Sequence, residues 1–253
     1  MKKILTYFLA YVLLQLAVGY VAINVIADGA MQLIVASVVS NVLAIALFFL
    51  ARWCPVSVEF MHRKPVTVAY WCVMLALGMI IPLQSLEELI PEAWRTDIAA
   101  DAFKMIMSNG WGYLAIGILA PIGEEVVFRG AIQREAVDYF RSRGMSVWVG
   151  LMFTAVLFAA VHGNPAQMPH AFIVGLLIGW LCHRSGSIIP GIIVHWVNNS
   201  VSFGLQTIYP QSYDMEIIEF FGDSYLRLSM AVLLSLLLFF PALLQLHRVL
   251  KEN

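Results

Sequence analysis

The sequence predicts an all-α protein, a polytopic membrane bundle of about eight transmembrane helices, and three observations support this prediction. Hydrophobic residues make up 61% of the 253 residues and charged residues only 12%, whereas soluble domains carry roughly 25% charged residues. The mean hydropathy is +0.82. The apolar residues also fall into runs of about 18 to 23, the length that an α-helix needs to cross a bilayer.

The apolar runs predict where each helix lies. The first run follows Lys2 and Lys3 and is too long for the apolar part of an ordinary signal peptide, so we expect a retained anchor. Neither a linker nor a low-complexity tract interrupts the sequence, which predicts a single integral membrane domain over 1–253. The predicted spans lie near 4–27, 31–51, 66–83, 106–140, 145–162, 168–183, 188–209 and 225–247.

The basic residues predict the orientation. Alternating spans divide the loops into two sets, and the set richer in Lys and Arg is expected in the cytoplasm. We therefore expect both termini in the cytoplasm and the compact chain in a bacterial inner membrane. The set with the N-terminus holds Lys2, Lys3, Arg52, Arg63, Lys64, Arg134, Arg141, Arg143, Arg184, Arg248 and Lys251, and the other holds Arg95, Lys104 and Arg227.

Charge and cysteine content exclude several classes of function. The net charge is −1, which gives no basic surface for nucleic acid, so no nucleic-acid partner is expected. The cysteines at 54, 72 and 182 are far apart and include no C-x-x-C pair. This pattern predicts neither a disulfide framework nor a thiolate metal site.

Two adjacent carboxylates, Glu124 and Glu125, follow an apolar stretch. An ionised side chain at membrane depth costs several kcal/mol, so such a cluster indicates a functional site. The i, i+4 spacing places Arg129 on the face of Glu125, while Glu124 is rotated by about 100° toward other helices. Pro121 lacks a backbone N–H, so we expect a bend beside the carboxylates.

Polar residues on the two other apolar segments are placed to meet these carboxylates. Glu125 lies 19 residues before Gly144 and His162 lies 18 residues after it, so an antiparallel hairpin puts them at one level. His195 and Asn199 share one helix face and can reach a single carbonyl or oxyanion. Each feature alone is equally compatible with structural pairing between helices, but the features together favour a catalytic site.

The three motifs resemble a known family. Glu124–Arg129 reads E-E-x-x-x-R, Phe158–His162 reads F-x-x-x-H, and His195–Asn199 reads H-x-x-x-N. This ordered set resembles the CPBP family (CAAX protease and bacteriocin-processing, also called Abi), intramembrane endopeptidases that include the type II CAAX prenyl proteases. The resemblance covers a catalytic core of about 105–205.

The resemblance implies a glutamic-type endopeptidase without a cofactor. Its expected partners are membrane lipid, which surrounds the enzyme, and a membrane-associated protein or peptide as the substrate. Zinc is the metalloprotease alternative, with Glu124, His162 and His195 as its ligands. By resemblance, Glu124 and His162 activate a water, His195 and Asn199 stabilise the oxyanion, and Glu125 and Arg129 form a supporting pair.

Two other functions remain open. One is a catalytically idle family member that acts as a membrane scaffold or bacteriocin-immunity factor. The other is a proton-coupled transporter, because intramembrane Glu, Arg and His also mark proton relays. Repeated halves with interrupted helices would favour the transporter, and the sequence shows none. His170 is expected to have a structural or interfacial role.

Overall fold

The structure is a computed structural model that describes residues 1–55, 65–91, 100–163, 165, 167–213 and 215–250. Within these residues every regular element is helical, which confirms the all-α class. The helices are α1 (Lys2–Val25), α2 (Gly29–Leu50), α3 (Pro65–Glu87), α4 (Ala100–Met107), a π-helical segment π1 (Tyr113–Leu119), α5 (Ala120–Glu125), a second π-helical segment π2 (Val126–Ile132), α6 (Gln133–Arg141), α7 (Val147–Val161), α8 (Met168–Ser185), α9 (Ile189–Ile208), a short 3₁₀-helix (Pro210–Tyr213), α10 (Ile217–Phe220) and α11 (Tyr225–Val249).

Helices occupy all eight positions at which the sequence predicts a span. Four of them, α1, α2, α3 and α11, are long and apolar enough to cross a membrane, and α7 is a shorter apolar helix. The polar site residues lie on α5, π2 and α9 and directly after α7. The helical membrane bundle is thus confirmed, and the crossing of the membrane by the more polar helices stays a prediction.

The predicted span 106–140 is not one uninterrupted helix, and this part of the prediction is wrong. Helix α4 ends at Met107, and π1 begins at Tyr113. In the turn between them the Asn109 side chain accepts a hydrogen bond from the Trp111 amide at 3.0 Å. A side chain at Gly112 would collide with the backbone carbonyl of Ile106. An asparagine that competes for backbone hydrogen bonds and a close backbone approach therefore end the helix.

Two apolar clusters hold the bundle together. One lies between α3, α8, α9 and α11 and is centred on fully buried Leu75, Ile178 and Leu246. The other joins α1, α2 and α7 to π2, with Phe48 and Phe128 at its centre. The second cluster includes apolar residues of π2 and α6, and Glu125, Arg129 and Gln133 on the same segment are also buried, so these polar side chains lie inside protein.

Contacts at the helix ends join loops of the same predicted set. Lys3 Nζ lies 2.9 Å from Glu135 Oε1, which brings the N-terminus to α6. Arg184 donates to the Leu250 carbonyl at 3.1 Å, which brings the end of α8 to the end of α11. In the other set, Lys104 lies over the Tyr213 ring at 4.8 Å. These pairings are those expected of helices that alternate in direction.

Reporter fusions should place Gly144 and Ser212 on opposite sides of the membrane, with Gly144 in the cytoplasm. The reason is that Gly144 follows the basic end of α6, whereas Ser212 belongs to the poorly charged loop set. Alkaline phosphatase and fluorescent-protein fusions at both positions measure this. Reversed signals would contradict the predicted orientation, and equal signals would contradict the alternation.

Candidate active site

The segment that carries the glutamates has an unusual backbone register, and Pro121 leaves one of its carbonyls without a backbone donor. The Ala120 amide donates to the Ala115 carbonyl, five residues back. In this register the donor for the Ile116 carbonyl would be residue 121, but proline has no N–H. Asn199 Nδ2 donates to that carbonyl at 3.0 Å instead. The expected bend therefore takes the form of a π-helical segment held to α9 by Asn199.

Glu125 and Arg129 form a buried ion pair, as their spacing indicates. Both side chains have 0% exposure, and Arg129 Nη1 donates to Glu125 Oε1 at 2.9 Å. Arg129 Nη2 donates to the Gly175 carbonyl on α8 at 3.0 Å. The guanidinium also lies over the Phe158 ring, 4.2 Å from its centroid, a favourable cation–π contact. Arg129 thus connects π2 to both α7 and α8.

His195 is oriented by this ion pair. Its Nδ1 lies 3.0 Å from Glu125 Oε1, and because a carboxylate only accepts hydrogen bonds, Nδ1 carries the proton and donates. The other ring nitrogen, Nε2, faces Glu124 Oε2 at 3.9 Å. This distance is too long for a direct hydrogen bond and is compatible with one bridging water. Glu124, turned away from Arg129, therefore faces α9.

His162 is bound to its own helix in the structure, and the expectation that it faces the glutamates stays a prediction. Helix α7 ends at Val161, and the His162 imidazole turns back so that Nδ1 donates to the Phe158 carbonyl at 2.8 Å. Its ring packs edge-on against the Phe158 ring, as does that of His195, with centroid distances of 5.0 and 5.8 Å. The described residues contain no hydrogen bond between His162 and Glu124.

The expectation that His195 and Asn199 converge on one acceptor is also modified. His195 binds Glu125 through Nδ1, whereas the Asn199 amide donates to the Ile116 carbonyl. The two side chains share a helix face, as predicted, but different parts of the neighbouring segment bind them. The cause is the carbonyl that Pro121 leaves without a backbone donor.

Several residues that position the site were not recognised from the sequence. Gln133 Nε2 donates to the Gly179 carbonyl at 2.9 Å, one helical turn beyond the contact of Arg129 with Gly175. A side chain at Gly179 would collide with Gln133 Oε1. The available signal was Gly-x-x-x-Gly in α8, a spacing typical of close helix packing in membranes.

Residues 107–201 match a family model described as type II CAAX prenyl endopeptidase, Rce1-like. We call this matched segment, which is similar to that family, the Rce1-like domain. It includes all three motifs, so the resemblance to CAAX-type proteases is confirmed for this part of the chain. Together with the long apolar helices, it identifies an integral membrane protein.

An Escherichia coli protein described as an uncharacterized 24.3 kDa protein is similar to part of the chain. The two are 36% identical over 86 residues, which make up 32% of this chain and 38% of the E. coli protein. The similarity therefore spans well under half of either protein. No solved structure matches the chain.

The zinc ligand set proposed from the sequence is not assembled in the Rce1-like domain. Within the part of the chain that the structure describes, no three His, Cys, Asp or Glu side chains are grouped so that they could hold a metal ion. Glu124 and His195 approach each other, and the Nδ1 atoms of His195 and His162 bind Glu125 and the Phe158 carbonyl. A carboxylate or backbone carbonyl on the second ring nitrogen is also the usual arrangement of a zinc-binding histidine, so the metalloprotease alternative stays a prediction.

His170, at the start of α8 in the Rce1-like domain, pairs with a residue outside it. Its Nδ1 lies 2.8 Å from Glu87 Oε1 at the end of α3. The contact joins the two helices at the end of the bundle, in keeping with the structural role expected from the sequence.

Proposed function

We propose that the chain is an intramembrane endopeptidase that hydrolyses a peptide bond of a membrane-associated protein or peptide. One observation carries this proposal. Within the Rce1-like domain, Glu124 Oε2 faces Nε2 of His195, and Nδ1 of the same imidazole donates to Glu125. A carboxylate next to an oriented imidazole, enclosed by protein, has the components needed for water-dependent hydrolysis.

The reaction begins with a water bound to Glu124. The carboxylate takes a proton from this water while the water oxygen forms a bond to the scissile carbonyl carbon. The carbonyl electron pair moves onto its oxygen, and His195, which in this step is the imidazolium with a proton on each ring nitrogen, donates a hydrogen bond from Nε2–H to the resulting oxyanion. The C–N bond then breaks, and Glu124 returns the proton to the leaving amine.

Glu125 and Arg129 support His195 in this proposal. Because Arg129 and His195 both donate to Glu125 Oε1, the carboxylate holds the proton on Nδ1 and directs Nε2 toward Glu124. The pair therefore acts as an orienting group for the imidazole, as a buried carboxylate does for a catalytic histidine. It makes no contact with the reacting carbonyl in this mechanism.

We assign His162 and Asn199 to the same centre. His162 is the second residue that binds the water, and Asn199 is the second residue that donates to the oxyanion. His162 Nδ1 is already bound, which leaves Nε2 as the nitrogen that can share the water with Glu124. An amide group has two N–H donors, and Asn199 uses one of them on Ile116. The second can donate to the oxyanion beside His195.

Comparative membrane proteomics tests the proposed function. Cells producing the wild-type chain should lack an uncut precursor that accumulates in cells producing Glu124→Ala. A purified sample should cleave an internally quenched peptide that ends in a farnesylated cysteine and three further residues, with the unprenylated peptide as a comparison. Identical proteomes together with no cleavage of either peptide would contradict an endopeptidase and favour the scaffold or immunity role.

We expect cleavage to persist in excess chelator, because Glu124 itself takes the proton from the water in this mechanism. Elemental analysis of the purified active protein should then find zinc well below one atom per chain. Both measurements use the same preparation. Stoichiometric zinc, with activity lost on chelation and restored by added zinc, would replace the glutamic mechanism with a metalloprotease.

A further inference from the structure

Asn41 on α2 has a buried oxygen that the site described above does not use. The residue is 3% exposed, and its Nδ2 donates to the Ser37 carbonyl at 2.9 Å. Its Oδ1 has no hydrogen-bond partner among the residues that the structure describes. Because a buried acceptor without a donor is costly and uncommon, this oxygen calls for a donor that is present in another state of the protein.

Asn41 Oδ1 lies against the helix that carries the glutamates. A side chain at Gly123 would collide with it, so the oxygen approaches the backbone directly before Glu124. Glu124 Oε2 is buried as well and has no hydrogen-bond partner in the described part of the chain. The two oxygens without donors thus belong to a residue that packs on Gly123 and to the residue that directly follows Gly123.

Residues of α1 and α2 meet beside the helical segment that carries Glu124. Tyr11 is 3% exposed, and its ring packs edge-on against Phe128, one helical turn after Glu124, with a centroid distance of 5.7 Å. On the next turn of α1, Gln15 accepts a hydrogen bond from Ser40 Oγ at 3.0 Å. Ser40 precedes Asn41 in α2, so this hydrogen bond joins α1 to α2 directly before Asn41.

We propose that Asn41 is a positioning residue for Glu124, and that its Oδ1 accepts a hydrogen bond from the Glu124 carboxyl group once that group has taken the proton of the water. This inference rests on the proposed function. While Glu124 is ionised both oxygens only accept, so no hydrogen bond can form. Proton transfer supplies the missing donor, and the new hydrogen bond stabilises the protonated carboxyl group that follows the attack.

The test compares three variants on the quenched farnesylated peptide. Asn41→Leu removes the acceptor at similar volume, and Asn41→Asp keeps an acceptor but adds a negative charge. Asn24→Leu is the matched control, because Asn24 also donates to the carbonyl four residues back, at 2.7 Å, but is exposed on α1. The measurements are kcat, KM and the pH–rate profile, with melting temperature as a check of folding.

Asn41→Leu should lower kcat by about tenfold or more with little change in KM, and should move the acidic limb of the profile to lower pH. Asn41→Asp should move that limb to higher pH, because a like charge disfavours ionisation. The other titratable groups facing Glu124 are unchanged in both variants. They are Tyr11 from α1, His162 at the end of α7, His195 from α9, and Glu125 and Arg129 along the same helix.

A kcat of Asn41→Leu within twofold of wild type, or an unshifted profile for Asn41→Asp, would overturn the inference. If Asn41→Leu does not fold, the profile of Asn41→Asp decides alone. The proposed function itself would be contradicted by a different result, namely a wild type that does not cleave the peptide or a Glu124→Gln variant that cleaves it as fast as wild type. Either result would also contradict the role of Asn41.

Discussion

Replacing Glu124 with glutamine should reduce peptide cleavage by about 10²- to 10⁴-fold, the range expected when a positioned general base is removed. Glutamine keeps the size of the side chain and one accepting oxygen but cannot take a proton from water. The folded protein should lose little stability, because Glu124 Oε2 accepts no hydrogen bond from the described residues. Steady-state cleavage and thermal unfolding of the purified variant measure the two effects.

The matched control for this variant is Glu135→Gln. Glu135 lies on α6, further along the same helical segment, and pairs with the exposed Lys3 side chain. It should cleave the peptide at the wild-type rate. Retention of more than a tenth of wild-type activity by Glu124→Gln would contradict the assignment of Glu124 as the base.

Replacing Arg129 with alanine should lower the free energy of unfolding by about 3–5 kcal/mol, the usual effect of removing one partner of a buried ion pair. The variant leaves Glu125 buried at 0% exposure without its guanidinium. It also removes the donor to the Gly175 carbonyl and the contact with the Phe158 ring. Activity should be lost too, because Glu125 then no longer holds His195 in place.

Two comparisons separate the loss of a charge partner from the loss of side-chain volume. The double variant Glu125→Gln with Arg129→Met removes both charges and should recover part of the lost stability. Lys3→Ala, which breaks an ion pair of the same 2.9 Å length at the surface, should have no measurable effect. Wild-type stability and activity in Arg129→Ala would show that the pair does not support the site.

The helical repeat made part of the site predictable. A rotation of about 100° per residue separates Glu124 from the face shared by Glu125 and Arg129, and the structure has this division. Asn199 was not predictable in the same way. Its partner, the Ile116 carbonyl, lacks a backbone donor because the backbone is π-helical here and the residue five positions later is Pro121. The sequence pattern indicated a bend but did not specify this register.

The positions of His162 and Asn41 depended on packing that local patterns do not contain. The sequence placed His162 level with Glu125, but the end of α7 lets its imidazole turn back to Phe158. Asn41 lies in an apolar run outside the motifs. That α2 would pack against Gly123 follows from the arrangement of whole helices, which spacing within a single helix cannot predict.

The partners of Arg129 and Glu125 also constrain how the chain is made. Arg129 binds Gly175 and Glu125 binds His195, and both partners are synthesised about 45 to 70 residues later. When the helix with the glutamates leaves the ribosome, these contacts do not yet exist. The transfer of a helix with unpaired charged side chains into lipid is unfavourable. We therefore expect the insertion machinery to retain this helix until α8 and α9 arrive, so that the catalytic residues assemble as the membrane domain closes.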